Sequence, residues 1–130
     1  MKYIGKLDVN KLGKYKDKIV TEDVIITNER IEHIKEHHPE LKNRELKFIK
    51  KLLKNPDYIF EDRKNKDTIL MVKEYRYYNK LFRMVVKLNT NIEAIDKFNS
   101  IISFWHISKK KLEQYKRNEK IIFKMIDNTE

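Results

Sequence analysis

Cysteine is absent from the chain, glycine and proline occur only twice each, and the longest apolar runs, such as Ile69–Val72, reach only four or five residues. Without cysteine there is no disulfide framework, no thiolate metal site and no cysteine nucleophile. Two glycines are too few for the Gly-rich phosphate loops of nucleotide-binding folds. The apolar runs fall far short of the ~20 residues that a membrane span needs. Met1–Asn10 alternates apolar and charged residues and has no signal-peptide core. These absences lead us to expect a soluble, cytoplasmic protein with no membrane partner.

Positive charge is abundant. Thirty Lys and Arg stand against twenty Asp and Glu, a net +10 over 130 residues. Such an excess makes a polyanion the first partner to consider. Lysine supplies 24 of the 30 cations. Lys, Asn and Ile have AT-rich codons, so part of that load reflects codon composition, and the position of each cation matters more than their number. At 40% hydrophobic residues the chain can build one modest core.

Lys2–Leu7 and Ile19–Ile26 mix apolar and polar residues and read as strands or extended arms. Thr27 is placed to cap a helix that carries Ile31 and Ile34 and stops at Pro39. A second helix runs from about Asn43 to Lys54, with Leu46, Ile49 and Leu53 on one stripe widened by Phe48 and Leu52. The period then changes to two. Asp57–Asp62, Thr68–Arg76, Leu81–Leu88 and Asn99–Ile107 read as strands, with Arg63–Asp67 a polar turn, Tyr77–Lys80 a hairpin and Asn89–Lys97 a loop. Lys109–Arg117 reads as a basic helix and Ile121–Ile126 as a last strand or tail. Helices followed by strands indicate an α+β fold, here N-terminal helices packed on one face of a four-stranded antiparallel sheet. Residues 1–23 form an arm and residues 24–130 a single domain in this reading.

Strand parity sorts the candidate site. Phe82, Met84, Val86 and Leu88 belong against the helices, and Leu81, Arg83, Val85 and Lys87 on the open face. We expect Lys73 and Tyr75 to join Arg83 and Lys87, giving cations for phosphate and an aromatic for a base. The last strand separates Ser100, Ile102, Phe104 and His106 from Asn99, Ile101, Ser103 and Trp105, and parity leaves open which set faces the cations.

Three of the four histidines, His33, His37 and His38, lie within six residues of the first helix, close to Arg30. His33-Ile34-Lys35-Glu36-His37 fits the H-x-x-E-H zinc-hydrolase pattern, but the helix ends at Pro39 and a third ligand is not evident. The other reading is acid–base chemistry, because imidazole titrates near neutrality. Cleaving RNA without metal needs a base for the 2′-OH, an acid for the leaving 5′-oxygen and cations around the phosphorus. A third possibility is an RNA-binding module without catalysis.

Ile26-Thr27-x-x-Arg30-x-x-His33-Ile34-x-x-x-His38-Pro39-Glu40 is followed in order by Asn55-Pro56-Asp57-Tyr58-Ile59, Asp62-x-Lys64-Asn65, Val85-Val86-Lys87-Leu88-Asn89 and Asn99-Ser100-Ile101-Ile102-Ser103-Phe104-Trp105. Over roughly residues 24–125 this series resembles the phage-type branch of the barnase–EndoU–colicin–RelE nuclease superfamily. The resemblance implies a small α+β ribonuclease, metal-independent and without cofactor, with its active site on the open sheet face. It implies catalytic roles for Arg30, His33, Lys87 and Ser100. Lys64, Lys73, Tyr75, Arg83, Ser103 and His106 are the accompanying candidates for RNA binding. His38-Pro39 matches a motif with a partly structural role, and Ser103 stands where relatives often carry Thr. His106 stands where Arg or another polar residue is expected. The implied partners are RNA and an acidic antitoxin or immunity protein.

Overall fold

The structure, a computed structural model, describes residues 1–39, 43–76 and 79–126, the side chains of residues 43–46 excepted. The expectations for Glu40, the Leu46 side chain and the tip of the Tyr77–Lys80 hairpin lie outside the described residues. Strand β1 (Lys2–Lys6) leads through two 3₁₀ turns to β2 (Asp23–Ile26), α1 (Asn28–His37), α2 (Asn43–Lys54) and β3 (Tyr58–Glu61). Then follow β4 (Thr68–Tyr75), β5 (Lys80–Lys87), β6 (Asn99–Ile107), α3 (Lys109–Asn118) and β7 (Lys120–Lys124).

The sheet corrects the expected architecture. It has seven strands in the order β1-β2-β6-β5-β4-β3-β7, not four. It is mixed, because β2 runs parallel to β6 while the other pairs are antiparallel. The helices are not confined to one face. A bare meander from β3 to β6 would leave two edges of unpaired amides and carbonyls; β2 covers one and β7 the other. Short strands of mixed composition take their identity from such partners rather than from propensity. The first 23 residues therefore supply sheet and core: β1 pairs with β2, and Leu7, Leu12 and Tyr15 are buried in the main cluster.

Thr27 Oγ1 accepts a hydrogen bond from the Arg30 amide at 3.1 Å and starts α1 directly from the end of β2. Ile34, with Ile49, Leu52 and Leu53 of α2, packs on the face formed by Ile69, Met71, Phe82, Met84, Val86, Ile101 and Phe104. A smaller cluster lies on the opposite face. There Leu112 and Tyr115 of α3 cover Phe60, Leu70, Val72 and Leu81. Beyond it on that face Lys87 is exposed and Ser100 and Ser103 are half-buried.

The β4–β5 register decides which side chains share that second face. Tyr75 pairs with Lys80 across a four-residue connection, so each odd position of β4 meets an even one of β5. Lys73 lies opposite Phe82. Lys73 and Tyr75 are thus on the face covered by α1 and α2, not beside Arg83 and Lys87. Lys73 Nζ is 3.5 Å from Asp57 Oδ1. The Tyr75 ring packs on Phe48 and Phe82, and its hydroxyl donates to the Phe48 carbonyl at 3.0 Å.

Candidate functional site

Two irregularities bring α1 and β6 together. The first is the parallel junction, only two residue pairs long: Val24 with Asn99 and Ile25 with Ser100. The junction is held by the fully buried Asn99 side chain. Its Nδ2 donates to the carbonyls of Thr21 (2.9 Å) and Asp23 (3.0 Å), and its Oδ1 accepts from the Asn89 amide (2.9 Å). Because α1 follows β2 immediately, this junction sets the first turns of α1 beside Ser100.

The second irregularity is a β-bulge. Ser103 pairs with Val85 but Ile101 pairs with Val86, so Ile102 is the extra residue. Simple alternation would put Ser100 and Ser103 on opposite faces. The bulge puts both on the face of Arg83 and Lys87, where Ser100 pairs with Lys87.

Three cavities follow one another on this face. Arg30, His33, Ser100, Ile102 and the Thr27 cap line the first, of about 420 Å³. The second, of about 600 Å³, shares Thr27 and Ser100 with it and adds Lys87, Asp67, Asn89 and Phe98. The third, of about 310 Å³, lies between β5 and α3 and includes Lys64, Arg83, Lys111 and Tyr115. Arg83 links it to β6: Nη1 donates to Tyr115 Oη at 2.8 Å and Nη2 to Ser103 Oγ at 3.5 Å. Lys87 Nζ donates to the Lys66 carbonyl. The face also holds acids, among them Asp67, whose carboxylate accepts from the Thr90 hydroxyl at 2.9 Å.

A family model described as phage-Barnase-EndoU-ColicinE5/D-RelE like nuclease 2 (PBECR2) matches residues 1–124. The chain belongs to this family. No curated protein and no solved structure matches it. As a PBECR2 nuclease it is an enzyme that acts on nucleic acid. Among the described residues, no helix is long and apolar enough to cross a membrane.

In this PBECR2 nuclease, Arg30, His33 and Ser100 line one cavity, and Lys87 lines the next, joined to it at Ser100. Lys64, Arg83 and Ser103 lie further along the same face. Lys73, Tyr75 and His106 do not join them. His106 pairs with Phe82, so it is directed to the other face, about 17 Å along β6 from Ser100. The His33 and His37 rings meet edge-on with centroids 4.4 Å apart. Among the described residues no group of three or more His, Asp or Glu side chains is placed to hold a metal. His38 stacks on Trp105 (4.1 Å, 13°) and ties the end of α1 to β6.

Sequence reasoning missed the Asn99 junction, the Ile102 bulge, and Lys111 and Tyr115 as neighbours of Arg83. The basic character of Lys109–Arg117 was the only available signal for the last two.

Proposed function

We propose that this nuclease cleaves RNA without a metal ion, by attack of a ribose 2′-OH on the adjacent phosphorus. The supporting observation is that an imidazole, a guanidinium and a hydroxyl line one cavity, with a lysine at its border. His33 takes the 2′-OH proton while the new O2′–P bond forms. The P–O5′ bond then breaks, and the 5′-oxygen gains a proton from His33 or from water at this open site. Arg30 and Lys87 offset charge on the non-bridging oxygens, and the Ser100 hydroxyl donates to one of them. The products are a 2′,3′-cyclic phosphate and a 5′-hydroxyl.

Incubation of the protein with tRNA and total RNA in EDTA tests this reading. The wild type should cut RNA and leave a DNA strand of the same sequence intact. His33→Ala should lose about 10²–10⁴-fold in rate. Intact RNA with the wild type, or equal cleavage by His33→Ala, would reject the mechanism. We further propose that the enzyme acts in the cytoplasm and is neutralised by an acidic antitoxin or immunity protein covering this cationic face. The +10 charge supports that proposal. Co-expression of an acidic partner that restores growth to cells expressing the wild type would bear it out; a partner that binds but leaves RNA cleavage unchanged would refute it.

A further inference from the structure

We propose that the cleft between β5 and α3 is a second phosphate subsite, which grips the RNA backbone away from the scissile bond. This rests on the reading of the enzyme as a ribonuclease and names how the rest of its substrate is held.

Arg83 is the centre of the cleft. Its guanidinium is partly sequestered under α3, and its Nε is buried with no hydrogen-bond partner. Its two other bonds go to neutral hydroxyls, Tyr115 Oη and Ser103 Oγ. Among the described residues no carboxylate pairs with it. Removing a cation from water without a counter-ion is costly. The cost is offset when an anion arrives, and a phosphate suits the planar fork of arginine.

The surroundings fit the same ligand. The Tyr115 hydroxyl accepts from Arg83, so its own proton remains available to an anion. Lys111 lies over the Tyr115 ring, its Nζ 5.3 Å from the centroid. Arg63 and Lys64 border the cleft from the turn after β3. The two acids of the wall are directed towards that turn. Asp62 accepts from the Lys64 amide and Asn65 Nδ2 at 3.0 and 2.9 Å, and Glu119 accepts from the Arg63 amide at 2.9 Å.

Distance separates this cleft from the cleavage chemistry. Arg83 and Lys87 are four residues apart on one strand, about 13 Å. No single phosphate spans that, yet both residues face the same way along the face that carries Ser100 and Ser103. An extended strand lying there meets Lys87 with one phosphate and Arg83 with another.

The test is binding of 2′-O-methyl RNA oligomers, two to eight nucleotides long, followed by fluorescence anisotropy. These probes lack the attacking hydroxyl, so the measurement does not depend on cleavage. Wild-type affinity should step up once the oligomer covers both subsites. Arg83→Gln should remove the step, weakening the longest oligomers about 10-fold while leaving the dinucleotide within about 2-fold. Lys111→Ala, a change at the cleft's rim, should act in the same length-dependent sense without threatening the core, and should lower the salt slope by about one. Lys87→Ala should weaken short and long oligomers alike. Equal weakening of both lengths by Arg83→Gln and Lys111→Ala, or none, would overturn the proposal. A protein that shows the step but leaves RNA intact retains the subsite and refutes only the cleavage mechanism.

Discussion

Replacing Asn99 with alanine should cost the protein far more than the loss of one exposed amide would suggest. The side chain is fully buried and makes three hydrogen bonds, all to backbone groups: two carbonyls before and at the start of β2, and one amide after β5. Each lost bond is worth roughly 1 kcal/mol, and more where its backbone partner is left buried and unpaired. Asn99→Ala should therefore lose about 3–5 kcal/mol, a large share of the ~5–15 kcal/mol of a small domain. Urea unfolding followed by the fluorescence of Trp105, the one tryptophan, measures this. The change should also reach the site, because the β2–β6 junction is only two pairs long and sets α1 beside Ser100. The control is Leu52→Ala on α2, a buried apolar truncation of similar expected cost, ~2–5 kcal/mol. Under conditions where both variants are folded, Asn99→Ala should lose RNA cleavage and Leu52→Ala should keep it. A loss of less than 1 kcal/mol, or equal activity in the two variants, would refute the view that this amide joins fold to site.

Two other perturbations probe the sheet. Burial holds the Tyr75 phenol well above its ordinary range, with the Asp57 charge adding to the effect. The unfolded phenol ionises near pH 10 while the folded one resists, so its contribution to stability is intact below pH 10 and falls as pH rises beyond it. Tyr75→Phe should lose about 1 kcal/mol at neutral pH through its bond to the Phe48 carbonyl, yet decline less steeply above pH 10; parallel urea-midpoint curves from pH 8 to 11 would count against this. Deleting Ile102 removes the bulge and leaves Ser100 and Ser103 two positions apart in a regular strand, still opposite Lys87 and Val85 and still on one face. A folded deletion variant should therefore lose less than the ~10²-fold in RNA cleavage typical of removing an acid–base group, and a loss of that size would show that face sharing alone does not build the site.

Local signals were legible where they were strong. The Thr27 cap, the Pro39 stop and the Ile49, Leu52 and Leu53 stripe of α2 each depend on residues within a few positions. The period-two segments gave β3 to β6 for the same reason. What failed depended on partners distant in sequence. Lys2–Lys6 and Asp23–Ile26, left open as strands or extended arms, are strands because β2 offers an edge to the first and β6 to the second, and no pattern within five residues records those edges. The face of Lys73 and Tyr75 turned on the parity of one connection: a loop of three or five residues would have put them with Arg83, and four puts them with Phe82. The position of Ser100 relative to Ser103 turned on one inserted residue. Arg30 and His33 could be paired with each other from helical spacing, but their approach to Ser100 needed the parallel junction.

The irregular features of this fold coincide with its chemistry. An antiparallel meander is interrupted at the β2–β6 junction, at the Ile102 bulge and at the uncompensated Arg83, and all three lie along one face between α1 and α3. Each has a local cost: a junction only two pairs long, an unpaired strand residue, and a half-buried cation with no carboxylate partner among the described residues. Departures from local consistency are expected where a site, rather than stability, sets the sequence. Three lysines elsewhere behave differently. Lys6 binds Asp23, Lys14 binds Glu61 and Lys116 binds Glu113, and each of these hydrogen bonds raises the lysine's pKa above its ordinary value. On the candidate face Lys87 bonds to a carbonyl and Arg83 to hydroxyls, so their charges are oriented without being neutralised. This contrast separates three carboxylate-paired lysines from Lys87 and Arg83, and the net charge alone could not have drawn it.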